Sequence, residues 1–265
     1  MPSSSPARLQ HRVLQPLSNP PLALALCAWR DAPIRDAVAT AAALGFRAVQ
    51  LDATHPQGRP RTLDRSARRD LAAVLRRSQL ECAGLDLWLP PEHLTPGPGV
   101  ERATEAVVHA IELVRELAGL VTSHPIVSLA LPDEVSSEAL AAIDASALRH
   151  EVRVADHAWP ARDSDCLGLD PALPIMAGQS AAKAATTLGP RLATARLSDA
   201  GVSGRVAVGS AGGRLDTSAY AAALSISAPH IPVVADVRSL NDPRTAAAAA
   251  LRTWMSVTEP YQTFG

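Results

Sequence analysis

Eight short apolar runs in this 265-residue chain each finish in side chains able to do chemistry. The first ends in Trp29 and Arg30, the second in Asp52 with His55 just beyond, and the third in Asp86 and Trp88 with His93 following. The fourth closes on Pro132-Asp133-Glu134, the fifth on Asp156 and His157 with Trp159 after them, and the sixth on Asp170. The seventh offers Arg196 and Asp199, the eighth Asp236 and Arg238. Tryptophans beside acids and imidazoles make the amphipathic lining of a pocket for a small polar ligand. Asp52, His55, Asp86, Trp88 and Trp29 are the candidate substrate contacts. Taken singly, each of these residues could equally cap a strand end or solvate a loop; their gathering on one rim is what points to a pocket.

That gathering requires the apolar runs to be parallel strands whose carboxyl ends share one face. The runs alternate with longer segments of helical period, which is the pattern of repeated βα units. Strands are expected at 22–28, 48–51, 82–87, 126–131, 152–155, 167–169, 193–197 and 233–237. Helices are expected at 34–44 (ended by Gly45, a favoured C-cap residue), 63–77, 100–117, 137–143, 181–188, 217–224 and 246–255. Only about a dozen residues, Pro160 among them, separate the fifth and sixth strands, so the fifth helix is expected to be missing or reduced to a turn. Eight strands and about seven helices fit a single α/β (β/α)₈ TIM barrel, whose typical length is about 250 residues and whose active sites lie at the strands' carboxyl ends. Residues 1–20 read as a loose arm rich in Ser, Pro and Arg, 21–258 as the barrel, and 259–265 as a tail. The loop Gly209–Arg214, with Gly212 and Gly213, could turn backbone N–H groups toward an anion just before a helix, or be an ordinary loop.

Composition removes several alternatives. A net charge of -1 gives no basis for nucleic acid or an anionic membrane as partner. No apolar run reaches the roughly 20 residues that span a bilayer. Lys183 is the only lysine and lies in a helical segment, which argues against imine chemistry at a strand end. Cys27, Cys82 and Cys166 form no Cys-x-x-Cys pair and read as buried free thiols of a cytoplasmic protein.

Several segments, in order over most of residues 22–256, resemble the xylose-isomerase-like barrels that include sugar isomerases and epimerases. They are Gly45-Phe-Arg-Ala-Val-Gln-Leu51, Leu167-Gly-Leu-Asp-Pro171, Ala195-Arg-Leu-Ser-Asp199, Gly209-Ser-Ala-Gly-Gly-Arg-Leu-Asp216 and Val233-Val-Ala-Asp-Val-Arg238. The resemblance implies isomerisation or epimerisation of a keto-sugar or sugar phosphate by proton transfer next to a carbonyl. Asp170 and Asp236 would be the candidate bases, a metal or Arg196 in its place the electrophile holding the enediolate oxygen, and His157 or His55 the carrier of a proton between adjacent carbons. It further implies a small sugar-like ligand, no nucleotide cofactor, and the homo-oligomeric assembly common in the family. It also implies one divalent metal (Mn²⁺, Mg²⁺, Co²⁺ or Zn²⁺) held by Glu, Asp, His and Glu from strands five to eight. Those positions read Ala155, Asp170, Arg196 and Asp236, so only Asp170 and Asp236 remain as metal ligands. A guanidinium has no free lone pair to offer a metal. The incomplete set favours either a metal-free enzyme or a divergent barrel that binds its ligand without turning it over. The apurinic endonucleases sharing this barrel use many more His, Asp and Glu ligands than are present here.

Overall fold

A computed structural model describes residues 22–258; the expected arm and tail lie outside the described residues. Eight parallel strands close into a barrel: β1 (Ala23–Ala25), β2 (Ala48–Asp52), β3 (Glu81–Asp86), β4 (Ile126–Leu129), β5 (Arg153–Asp156), β6 (Leu167–Leu169), β7 (Leu192–Leu197) and, after a small hairpin, β10 (Val233–Ala235), which pairs back onto β1. The hairpin strands are β8 (Asp199–Gly201) and β9 (Gly204–Val206), antiparallel and outside the barrel. Around the strands run α1 (Ile34–Ala43), α2 (Arg65–Arg77), α3 (Val100–Leu117), α4 (Ser137–His150), α5 (Ala172–Met176), α6 (Ala181–Leu188), α7 (Thr217–Ser227) and α8 (Pro243–Thr258).

The helices form where the sequence supplies both a cap and an apolar stripe. Asp64, Ser136, Ser180 and Asp216 each accept a backbone N–H of the first turn of α2, α4, α6 and α7. In α3, Val107, Ala110, Ile111, Val114 and Leu117 recur at helical spacing and are buried. They join Val49, Leu51, Leu85, Val127, Leu129, Leu167, Leu169 and Leu197 in one apolar shell between strands and helices. Each such side chain stabilises the fold by about 1.5–3 kcal/mol relative to exposure. No helix among the described residues is long and apolar enough to cross a membrane.

Alternation along each strand turns the other set inward. Ala23, Ala25, Ala48, Ala83 and Val234 form a separate, inner cluster, and the polar residues Gln50, Asp86, Ser128, Arg196 and Asp236 are buried as well. A bulge in β3 is needed to bring Asp86 to this face. Cys82 and Leu85 belong to the outer shell and Ala83 to the inner cluster, so Gly84 is the extra residue that resets the alternation before Asp86. Its φ of +117° and a would-be Cβ only 2.5 Å from the Ile126 carbonyl oxygen leave room for glycine alone.

Several local features differ from the sequence expectations, among them strands β4 and β10, which end two residues earlier than expected, and α8, which extends three residues further at each end. β1 stops at Ala25, and Leu26–Trp29 winds into a 3₁₀ turn. α4 continues to His150, ending where Glu151 takes a left-handed conformation. α5 and the β8–β9 hairpin had not been anticipated. The β5–β6 connection, residues 157–166, contains no helix.

Candidate functional site

The carboxyl end of the barrel is closed by a ring of ion pairs. Arg196, inward-facing near the end of β7, donates from Nη1 to Asp236 Oδ2 at 2.5 Å and from Nη2 to Asp86 Oδ1 at 2.7 Å. Arg238 bridges the same two acids. Its Nε lies 2.8 Å from both oxygens of Asp236, and its Nη2 donates to Asp86 Oδ2 at 2.7 Å. All four residues are buried. Burial by itself would raise the Asp236 carboxyl, but Arg196, Arg238 and Arg205 outweigh it and hold the group well below the usual carboxylate range. The same acids keep both guanidiniums charged against their own burial.

A second pair adjoins the ring. Arg205, on β9, donates from Nη2 to Asp170 Oδ2 and lies 3.9 Å from Asp236 Oδ2 through its other terminal nitrogen. The remaining oxygen of Asp170 accepts from the Ser198 hydroxyl at 2.5 Å and the Ala172 N–H at 3.2 Å. Three arginines thus face three aspartates.

His157 lies under these charges with its ring against Gly168, where an added Cβ would come within 2.2–2.3 Å of three imidazole atoms. Neither ring nitrogen has a hydrogen-bond partner. Burial first, then Arg196 and Arg238, push its pKa well down, so the imidazole is neutral. Its neighbour Asp156 turns the other way. One oxygen accepts from the N–H groups of Leu131 and Ala158, while the other is buried without a hydrogen-bond partner, 3.9 Å from Arg162 Nε. Burial raises the Asp156 carboxyl.

Several of the expected site residues are engaged within the chain. Every oxygen of Asp170 and Asp236 accepts from a donor of the chain. Asp86 is a member of the ring, each of its oxygens accepting from one guanidinium. Asp52 binds Arg30 and Thr54. His55 holds the Ala32 carbonyl through one ring nitrogen and the Gln57 N–H through the other, so the carboxylate and the imidazole tie the loop after β2 to the segment after β1. Trp29 packs against the outer shell. Gly213 lets the loop close on Asp199, whose Oδ1 collects the N–H groups of Ala200, Arg214 and Leu215, and the Gly212 carbonyl backs onto Gly201. The loop's Arg214 and Leu215 N–H groups are therefore spent on an internal carboxylate and do not cradle an external anion.

Trp88 stands just beyond the end of β3. Its ring, 52% exposed, stacks on the Arg238 guanidinium at 4.3 Å from the centroid. It also lines a cavity of about 550 Å³ between the loops after β2 and β3 and the start of α3. Sequence reasoning missed Arg205 and Ser198. The one available signal was Gly201-Val-Ser-Gly204, a turn pattern between two short runs.

The donor set does not suit a divalent metal. No group of three or more His, Cys, Asp or Glu among the described residues is placed to hold one. At the position corresponding to a histidine ligand stands Arg196, already bonded to the acids on either side.

Fold and site together define a (β/α)₈ barrel with a charged, closed floor and a pocket beside its mouth. No family model and no curated protein matches the sequence. Among solved structures, the chain aligns with a D-psicose 3-epimerase from Clostridium cellulolyticum H10 holding D-tagatose, at 14% identity and TM-score 0.67 over 91% of this chain and all of that one. A xylose isomerase domain protein from Planctomyces limnophilus aligns at 16% identity and TM-score 0.65, over 83% and 91% of the two chains. A probable 3-DHS dehydratase from Bacillus anthracis aligns at 14% and 0.63, over 91% and 99%. The fold is that of the xylose-isomerase-like sugar epimerase barrels, shared at low sequence identity.

Proposed function

We propose that this barrel binds a small, polar, sugar-like molecule at its carboxyl-end mouth, with arginines supplying the positive charge that a metal would bring to such a site. One observation carries this reading: each oxygen of Asp86, Asp170 and Asp236 accepts from a donor within the chain. A carboxylate held by guanidiniums is a weak base. The residues therefore support recognition over metal-assisted proton transfer. Ketoses are the first ligands to try, given the D-tagatose held by the epimerase that shares the fold.

A metal-free proton transfer is the second reading, favoured by His157. Its two ring nitrogens are buried without hydrogen-bond partners, so a lone pair of the imidazole is left unengaged beside the ring of charges. The two readings separate in D₂O. Ketoses are screened for thermal stabilisation of the protein, and the same mixtures, with chelator present, are followed by proton NMR for loss of carbon-bound hydrogen. Binding without exchange is expected. Exchange that requires added Mn²⁺ would overturn the proposal, whereas exchange surviving the chelator and lost in His157→Gln would establish the second reading.

A further inference from the structure

The cavity beside the mouth has a charge pattern of its own. Its polar lining includes Arg59, Arg61, Arg102, His93 and His109, and no carboxylate. Arg59 donates to the Thr54 carbonyl, and His109 faces Glu112 on its own helix at 3.1 Å. Among the described residues no acid lies within ion-pairing distance of Arg59, Arg61 or Arg102. This contrasts with the mouth itself, where every arginine is matched by an aspartate. Three unmatched guanidiniums around one concavity repel each other, an arrangement that an anion relieves. Guanidinium also matches carboxylate and phosphate geometry through paired N–H donors. The start of α3 opens into the same space at Gly99 and Arg102, and its dipole adds to the positive potential.

Trp88 forms one wall, with Arg238 stacked on its ring. An apolar face and an anion clamp therefore share one cavity, the lining suited to a small molecule carrying one oxyanion group.

Resting on the sugar-binding reading above, we infer that the ligand of this barrel is anionic. It is a sugar acid or sugar phosphate whose carboxylate or phosphoryl group is taken by Arg59, Arg61 and Arg102. The anion subsite thus lies between the second and third βα loops, and not in the glycine loop at 209–214.

The test is calorimetric titration of the full chain with D-fructose, D-fructose 6-phosphate, D-gluconate and inorganic phosphate at constant ionic strength. At least tenfold tighter binding of the fructose phosphate or of gluconate than of fructose is expected, and the better of the two names the oxyanion. Arg61→Gln and Arg102→Gln should each weaken that binding at least tenfold without lowering Tm, since both side chains are exposed. Equal affinity for fructose and its phosphate, with the variants unchanged, would overturn the anionic ligand and leave the sugar reading standing. Arginine-dependent binding of inorganic phosphate with no gain from any sugar would uphold the anion subsite and overturn the sugar reading. Absence of binding by every anion would overturn the subsite.

Discussion

Arg196 is the residue on which the interior depends. It joins Asp86 to Asp236, and its loss leaves two buried carboxylates sharing the one remaining bridge, Arg238. Removing one partner of a buried ion pair costs about 3–5 kcal/mol. Arg196→Met is expected to lower Tm by about 6–20 °C at pH 7, at about 2–4 °C per kcal/mol for a chain of this size; thermal unfolding followed by circular dichroism checks this. The sign of the pH dependence follows from the depressed Asp236 carboxyl. Its stabilisation is complete above the unfolded pKa of about 3.9 and is lost as pH falls below that value toward the folded pKa. The gap between wild type and Arg196→Met should therefore be full at pH 6–7 and narrow below about pH 4. Asp156 runs in the opposite direction. Its raised pKa makes the charged form a cost at neutral pH, relieved as pH falls through that value. Asp156→Asn keeps an oxygen for Leu131 and Ala158 and removes the charge, so its Tm at pH 7 should equal or exceed that of wild type. A clear loss of Tm would show that the carboxylate itself is needed. Most of this residue set was legible as acids and arginines ending apolar runs. Their mutual pairing was not, because side-chain reach across the barrel leaves no mark in local sequence.

At the scale of elements, two glycines decide what the strands present. Gly84 supplies the bulge that turns Asp86 inward, and Gly168 supplies the hollow that His157 fills. Gly168→Ala drives a methyl group into the imidazole and should destabilise by about 1–3 kcal/mol. In His157→Ala/Gly168→Ala the clash is gone, so the double variant should fall short of the summed single effects by about 0.5–3 kcal/mol. Strict additivity in denaturant titrations would show that the ring is free to move aside. The order and approximate bounds of the strands followed from the alternation of apolar runs with helical segments. The β8–β9 hairpin that delivers Arg205 did not, since Asp199–Gly201 and Gly204–Val206 contain no apolar run. The cavity arginines were equally hidden. They come from a loop and a helix, whereas the search for chemistry followed the strand ends.

For the whole molecule, the balance of three arginines against three aspartates predicts indifference to divalent cations. Chelator, or millimolar Mn²⁺, Mg²⁺, Co²⁺ or Zn²⁺, should leave Tm within about 1 °C, because a ligand stabilises only in proportion to its occupancy of the native state. A saturable shift of several degrees with one of these ions would mean that the ring opens to admit it. Stability should also change little with ionic strength, since buried pairs are poorly screened. The barrel itself was the most legible feature of the sequence, being set by periodicity summed over the entire chain. Function was the least legible, because it turns on which charges neutralise one another across a distance.

A cation drawn from solution has to be acquired, discriminated from competitors and retained. The guanidiniums of Arg196 and Arg238 are made at the ribosome with the rest of the polypeptide, one of each per chain. On the reading proposed above, every newly folded copy therefore carries its central charge in full stoichiometry, and starvation for trace elements or their sequestration does not empty it.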